Sequence, residues 1–403
     1  MGGAIQEIEN IVKGWRFSRN ALELKSSIIR EILKDSSKPG VINFGGGLPA
    51  PDLFPLEKIK EACINVIDKY GTQALQYSLT SGTKQMLSLI TSRLKQQDID
   101  ISAECIQVTA GAQQALDILG RVFLDPKSVV LTETPTYLGA LQAFSFYGVK
   151  FISVKTDDEG IIPEDVENKM KEYKPRFIYV VSNFQNPTGR TISLKRREKL
   201  VELSRKYGCP VIDDNPYGEV RFTGKHVPSL KTIGKECVIQ LGTFSKLISP
   251  GLRIGWIASE PNVQKIIERM KQACDLHTNT FTQFVSSEFA SAGHLEPHIE
   301  LIKKVYGIRR NFMIKMLKEY FGDDVSWTEP EGGLFLWLKL PKTINATELL
   351  PKAIKAGVAY VPGKFFFSEK PDDSTLRLNF CNATEENIRE GVKRLAKVIA
   401  SAN

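Results

Sequence analysis

A lysine sits inside the stretch Gly242-Thr243-Phe244-Ser245-Lys246, which continues through Leu247-Ile248-Ser249-Pro250-Gly251-Leu252-Arg253-Ile254-Gly255. The β-type run Cys237-Val238-Ile239-Gln240-Leu241 leads into it and reads as a buried strand. That strand delivers two hydroxyls (Thr243, Ser245), one amine (Lys246) and one guanidinium (Arg253) into a short turn bounded by Gly and Pro. Two hydroxyls and an arginine suit an anion with several oxygens, such as a phosphate. An amine at the end of an apolar strand is placed to lose solvation and become nucleophilic. A phosphate site beside a buried lysine fits pyridoxal phosphate held as a Schiff base. The competing reading is an ordinary solvated loop lysine.

Further turns carry polar groups of the same kind. Asn183-Phe184-Gln185-Asn186-Pro187-Thr188-Gly189 follows the strand-like Phe177-Ile178-Tyr179-Val180-Val181, and Asp213-Asp214-Asn215-Pro216-Tyr217 follows Val211-Ile212. Each alone also reads as a structural turn. Ile106-Gln107-Val108-Thr109 meets Ala110-Gly111-Ala112-Gln113-Gln114, and an amphipathic helix with Leu116, Ile118, Leu119, Val122 and Phe123 follows. A strand, a small-residue turn and a helix N-terminus leave free N–H groups that can cradle a phosphate, although plain connectors look alike. The glycines of Gly45-Gly46-Gly47 let backbone approach a ligand closely, and Pro49, Pro51 and Pro55 stiffen the exit. A dinucleotide fingerprint would open a helix there instead, so a nicotinamide site is rejected.

The elements that must hold these groups alternate. Strand-like runs are expected at Ser128–Thr132, Lys150–Val154, Arg176–Ser182, Pro210–Asp213, Cys237–Leu241 and Ile254–Ser259. Helical stretches such as Tyr137–Tyr147, Pro163–Tyr173 and Leu194–Tyr207 fall between them. The alternation predicts an α/β fold, with a large, mostly parallel sheet covered by helices on both faces. Ligands in such sheets bind beyond the carboxyl ends of the strands, a rule that selects Tyr137, Asn186, Asp214, Tyr217 and Lys246. Beyond residue 262 the texture becomes that of a compact α+β unit. It has helices at Pro297–Tyr320, Ala346–Ala356 and Glu385–Ala400, and strands at Gly332–Leu340, Ala359–Val361 and Leu376–Phe380. A helix is also expected around Leu22 to Lys34, in a segment that carries Arg16, Arg19 and Arg30.

The 403 residues are 42% hydrophobic and 25% charged, as in a soluble globular protein, and fit one large domain with a smaller companion. No run approaches the length of a membrane span, and the N-terminus lacks a signal pattern, so no membrane and a cytoplasmic location are expected. Six scattered cysteines without a C-x-x-C pair indicate neither a zinc site nor a disulfide framework, so no metal is expected. The net charge of +8 is spread along the chain and no basic tract interleaves with aromatics, so no nucleic-acid partner is expected.

Taken jointly and in this order, N-P-x-G, D-x-x-Y and S-K with an arginine after it resemble the fold-type I pyridoxal-phosphate enzymes, specifically the class I/II aminotransferases. The stretches F-G-G-G-L-P-A-P-x-L-F-P, L-Q-Y-S, F-Q-N-P-T-G, S-K-x-x-x-P-G-L-R-x-G and L-R-L-N-F are most similar to the 2-aminoadipate and kynurenine aminotransferase group, from about residue 20 onward. The resemblance implies pyridoxal 5'-phosphate on Lys246, which also moves the substrate's Cα proton. It implies Asp214 on the pyridine nitrogen, Tyr217 and Asn186 on the ring's phenolic oxygen, and Tyr137 stacked on the ring. The phosphate would take N–H groups of Ala112 and Gln113, the hydroxyls of Thr243 and Ser245, and Arg253. Relatives often have serine where this chain has Ala112. Arg377 would grip the substrate α-carboxylate, with Gly46 and Gly47 nearby, and Arg30 would meet a distal carboxylate. Tyr77 would reach the neighbouring subunit's cofactor, which implies a homodimer.

The implied small domain combines residues 1–50 with 291–403, around a cofactor-binding domain at 51–290. The implied reaction moves an amino group from 2-aminoadipate, an aromatic or a large aliphatic amino acid to a 2-oxo acid, with 2-oxoglutarate the acceptor. Rival readings are a carbon–sulfur lyase on the same fold, or a non-enzymatic regulator with an aminotransferase-like domain. The regulator needs a DNA-binding module before this region, where only about twenty residues precede the resemblance.

Overall fold

The computed structural model describes residues 15–24 and 39–402. Its centre is a seven-stranded sheet. In chain order the strands are β1 (Ile106–Thr109), β2 (Val129–Glu133), β3 (Lys150–Val154), β4 (Phe177–Val180), β5 (Val211–Asp214), β6 (Val238–Thr243) and β7 (Gly255–Ala258). They lie side by side as β1-β7-β6-β5-β4-β2-β3. The run from β6 to β3 is parallel, and β7 is antiparallel to both of its neighbours. The sheet is therefore mostly parallel, as expected, with β7 turned back directly after the Lys246 turn.

Both faces of this sheet are covered, which is why its strands read as nearly unbroken apolar runs. Successive side chains on β4 alternate between two cores: Ile178 and Val180 pack in one, Phe177 and Tyr179 in the other. The helices at Pro163–Tyr173 and Leu194–Tyr207 cover the first face with Val166, Met170, Leu200 and Val201. The second is covered by helix α1 (Ala112–Phe123), through Leu116 and Leu119, and by the helix at Leu138–Ser145, through Phe144. Fully burying one such side chain contributes roughly 1.5–3 kcal/mol, so these two layers hold the strand ends firmly in register.

The C-terminal part forms a four-stranded antiparallel sheet from β8 (Ser326–Trp327), β9 (Phe335–Lys339), β10 (Val361–Pro362) and β11 (Thr375–Asn379), in the order β8-β9-β11-β10. Helices α2 (Leu295–Tyr320) and α3 (Glu385–Ala400) pack against each other beside it. The strand expected at Ala359–Val361 is two short ones. Val358–Ala359 pairs in parallel with Ile42–Asn43, whereas β10 joins the small sheet. The early segment is tied to this part of the chain a second time, because Tyr306 Oη accepts a hydrogen bond from Ala50 N at 3.0 Å and Arg309 pairs with Asp52 at 2.6 Å. Near the start, a helix covers Arg19–Glu23, and the rest of the helix expected around Leu22 to Lys34 lies almost wholly outside the described residues, as does Arg30.

Candidate active site

Five strands of the large sheet end at the same edge, and the turn after each supplies part of one cavity. The cavity has a volume of about 260 Å³ and is lined by Ala112, Gln113, Tyr137, Asn186, Asp214, Tyr217, Thr243, Ser245, Lys246 and Arg253 from the large sheet's turns, with Gly47 and Arg377 from the other part of the molecule. A larger polar cleft of about 830 Å³ opens elsewhere, between the loops around Thr134 and Arg190 and the small sheet, and contains none of these groups.

At one end of the cavity, α1 starts on Gly111 with no side-chain cap, so its first N–H groups stay free for an anion. Gly111 has φ +76° and lies against Arg253, and a Cβ on Gly255 would stand 2.7 Å from the Gly111 carbonyl carbon. Both positions need glycine for β7 and the helix start to come this close. Arg253 donates to the carbonyls of Ala110 at 2.9 Å and Pro250 at 3.3 Å, which hold its guanidinium beside the helix start. Thr243 Oγ1 lies 2.9 Å from the Ile254 carbonyl and 2.9 Å from Ser245 Oγ. A threonine hydroxyl has one proton to give, so Ser245 is the freer of the two hydroxyls.

Lys246 Nζ donates to the Gly47 carbonyl at 2.9 Å. Burial pushes its pKa down to about 8, opposed by Cys381, with the positive charges of Arg377 and Arg253 adding to the effect. A large share of this amine is therefore neutral near pH 8, as nucleophilic attack requires. Asp214 is buried, and its Oδ2 accepts a hydrogen bond from Tyr179 Oη at 2.7 Å. Its Oδ1 has no partner, and burial raises the carboxyl pKa to about 7. An uncompensated buried carboxylate oxygen beside a cavity is a place for a protonated ring nitrogen. Burial raises the phenol of Tyr137 to about 12 and that of Tyr217 higher still, so both remain neutral hydrogen-bonding groups.

Arg377 is 1% exposed and lies between the rings of Phe335, at 4.1 Å, and Phe366, at 5.0 Å. One terminal nitrogen donates to Asn186 Oδ1 at 2.7 Å, the other to the Gly45 carbonyl at 2.7 Å. Each keeps a second N–H, which is the fork that a carboxylate accepts. Burial lowers the guanidinium pKa to about 10, so it stays charged at neutral pH.

Two expected residues stand apart. Tyr77 is 78% exposed and lies edge-on to His277, away from the cavity. Gly46 is buried, its carbonyl held by Asn379 Nδ2, and it supports the cavity wall without lining it. Four residues that shape the site were not expected: Tyr179 behind Asp214, Asn379 behind the glycine run, and the two rings around Arg377. Asn379 had a signal, because it follows Arg377 by two on a strand and so shares its face. The rings had none, since contacts between Phe335, Phe366 and Arg377 arise only when distant segments pack.

An amine, a carboxylate, an uncapped helix start and a buried arginine around one cavity form a candidate enzyme site with places for anionic groups. The family model for aminotransferase class I and II matches residues 39–395. The chain is 46% identical to an aromatic-amino-acid aminotransferase of Thermococcus litoralis, over 95% of this chain and 94% of that one. It is 38% identical to a 2-aminoadipate transaminase of Thermus thermophilus, over 95% and 96% respectively. A kynurenine aminotransferase of Pyrococcus horikoshii, solved with PMP, superposes with a TM-score of 0.92 at 41% identity, covering 99% of both chains. The chain belongs to the class I and II aminotransferases. It is thus an amino-acid transaminase that works with pyridoxal phosphate.

Proposed function

We propose that this enzyme moves the amino group of an aromatic or 2-aminoadipate-type amino acid to a 2-oxo acid, with 2-oxoglutarate as the acceptor. The observation that carries the reading is one cavity lined together by Ala112 and Gln113 at the α1 start, by Ser245 and Arg253, by Arg377 and by Lys246. The residues present fit the cofactor: Asp214 Oδ1 lacks a partner, and the α1 start is uncapped.

Bound pyridoxal phosphate supplies an electron sink for charge developing at the substrate's Cα. The protein supplies the rest. N–H groups of Ala112 and Gln113, Ser245, Thr243 and Arg253 would hold the phosphate, Tyr137 would cover the ring, and Asp214 would keep a proton on the pyridine nitrogen. Tyr217 and Asn186 would hold the phenolic oxygen. Arg377 would grip the substrate α-carboxylate with its two terminal nitrogens and so fix how the substrate turns about its N–Cα bond, presenting the Cα–H bond to Lys246. Lys246, held at the Gly47 carbonyl, would take the Cα proton as its base.

Aromatic and 2-aminoadipate donors are supported by the relatives of those activities and, for the former, by Phe335 and Phe366 near Arg377. A homodimer is supported by the exposed Leu75, Tyr77 and Leu79, a hydrophobic strip that a second copy would cover, with Tyr77 reaching its cofactor. A cytoplasmic location is supported by six free cysteines and by the lack, among the described residues, of a helix long and apolar enough to cross a membrane. The reading of residues 1–50 and 291–403 as one small domain is supported by the pairing of Ile42–Asn43 with Val358–Ala359.

The test is a steady-state screen of amino donors against 2-oxoglutarate, following conversion of the cofactor to its pyridoxamine form. Aromatic donors or 2-aminoadipate are expected to rank first, with glutamate formed in equal amounts. Release of ammonia and a 2-oxo acid without an acceptor would identify a lyase and overturn the reading.

A further inference from the structure

We propose that Tyr179 is a positioning residue that fixes the Asp214 carboxylate for the cofactor's ring nitrogen, occupying one carboxylate oxygen so that only the other is left for the ligand. The inference rests on the role given to Asp214 above and adds a residue that touches neither cofactor nor substrate.

The geometry follows from strand alternation. On β4, Phe177 and Tyr179 share one face, and on β5 Ile212 and Asp214 share that same face, because Ile212 packs in the same core as Phe177 and Tyr179. Tyr179 is paired in register with Ile212, so Asp214 lies one same-face position farther toward the strand ends. A tyrosine is long enough to lean across that step, and its hydroxyl reaches Asp214 Oδ2 at 2.7 Å. Phenylalanine rings keep it there: Phe144 meets the Tyr179 ring edge-on at 5.8 Å and also meets Phe177 at 5.1 Å. Tyr179 is fully buried, and burial next to Asp214 raises its phenol well above the usual range, so it is a permanent donor.

The Tyr179 hydroxyl is the one hydrogen-bond donor to the Asp214 carboxylate among the described residues, and Oδ1 stays unpartnered. A carboxylate held at one oxygen by a rigid donor cannot swing about its χ2 axis without breaking a charge-assisted bond. The neighbouring Asp213 points to the opposite face, where Arg197 offsets its charge. Tyr179 is therefore the group that both orients Asp214 and supports its ionised form.

The experiment uses Tyr179→Phe, which keeps the ring and its contact with Phe144. Pyridoxal phosphate affinity is measured by titrating the cofactor-free protein, and the ring nitrogen's protonation is read by NMR of ¹⁵N-labelled bound cofactor. The expected result is affinity weaker by about tenfold or more, with the nitrogen signal shifted toward the unprotonated form. In the Asp214→Asn background, the same Tyr179→Phe change is expected to have no further effect on either readout. An equal effect in both backgrounds, or an unshifted nitrogen signal, would overturn the proposal by reducing Tyr179 to packing. If Asp214→Asn itself leaves affinity and nitrogen signal unchanged, the Asp214 assignment fails first. Should Tyr179→Phe not fold, 3-fluorotyrosine at position 179 preserves the shape and is a stronger donor. It must then move the nitrogen signal toward the protonated form, and no movement overturns the proposal.

Discussion

Trace labelling of the cofactor-free protein with a small aldehyde and a mild reductant, mapped lysine by lysine across pH, is expected to single out Lys246. An amine whose pKa is held at about 8 by burial is about one quarter neutral at pH 7.5, whereas an ordinary lysine amine is neutral in roughly one molecule in a thousand. Per accessible amine, Lys246 is therefore expected to react roughly 200-fold faster at that pH. Its labelling should fall about tenfold per pH unit below 7 and level off above about 8.

A built-in control is Lys231, whose pKa burial also lowers to about 8. Its amine donates to the carbonyls of Lys235 and Val238, and the residue is 1% exposed, so it is expected to stay unlabelled. Replacing Arg377 by Met removes a positive charge that helps to depress Lys246, so the half-labelling pH is expected to rise. Uniform labelling of surface lysines at pH 7.5, or a Lys246 midpoint near 10.5, would refute the claim that this cavity desolvates the amine.

Lys246→Ala is expected to abolish turnover and covalent cofactor attachment while the unfolding transition stays cooperative, and full activity would contradict its role. Arg377→Ala is expected to lower kcat/KM by about a hundredfold or more, because a buried two-pronged cation is lost, and an unchanged kcat/KM would show that the carboxylate binds elsewhere. Gly255→Ala would set a Cβ 2.7 Å from the backbone of Gly111, and the overpacking is expected to cost about 1–3 kcal/mol and to weaken cofactor binding at the displaced helix start. Unchanged melting and affinity would sink that argument. For Asp214, the carboxyl pKa in the folded, cofactor-free protein is raised to about 7 by burial, above an unfolded value of about 4. Its contribution is thus fully present below pH 4 and is lost as pH rises through 7, at most ~4 kcal/mol. Asp214→Asn is expected to remove this share of the decline, as seen in urea unfolding at pH 5 and 8, and an identical slope in the variant would refute the assignment.

Much of this was legible in the chain because the groups of the candidate site follow strands immediately. Lys246, Asp214, Asn186 and Tyr137 each come a few residues after a β-type run, and a parallel sheet gathers such positions at one edge whatever its strand order. The parallel core could be read from continuous apolar runs, since strands buried on both faces admit little else. The reversal of β7 could not, because a strand's direction depends on its partners and not on its own residues.

By itself, then, the sequence determined the chemical inventory and the family, through residue types at short spacing. Tertiary structure alone decided that Arg377 would meet Gly45 and Asn186, more than 190 residues away along the chain in the nearer case, between the rings of Phe335 and Phe366. It also decided that Lys246 would find its carbonyl on Gly47, and that Tyr179 would hold Asp214. The physical reason is the range of the forces: backbone propensity and turn chemistry act over a few residues, whereas desolvation and hydrogen-bond geometry depend on what packing brings together.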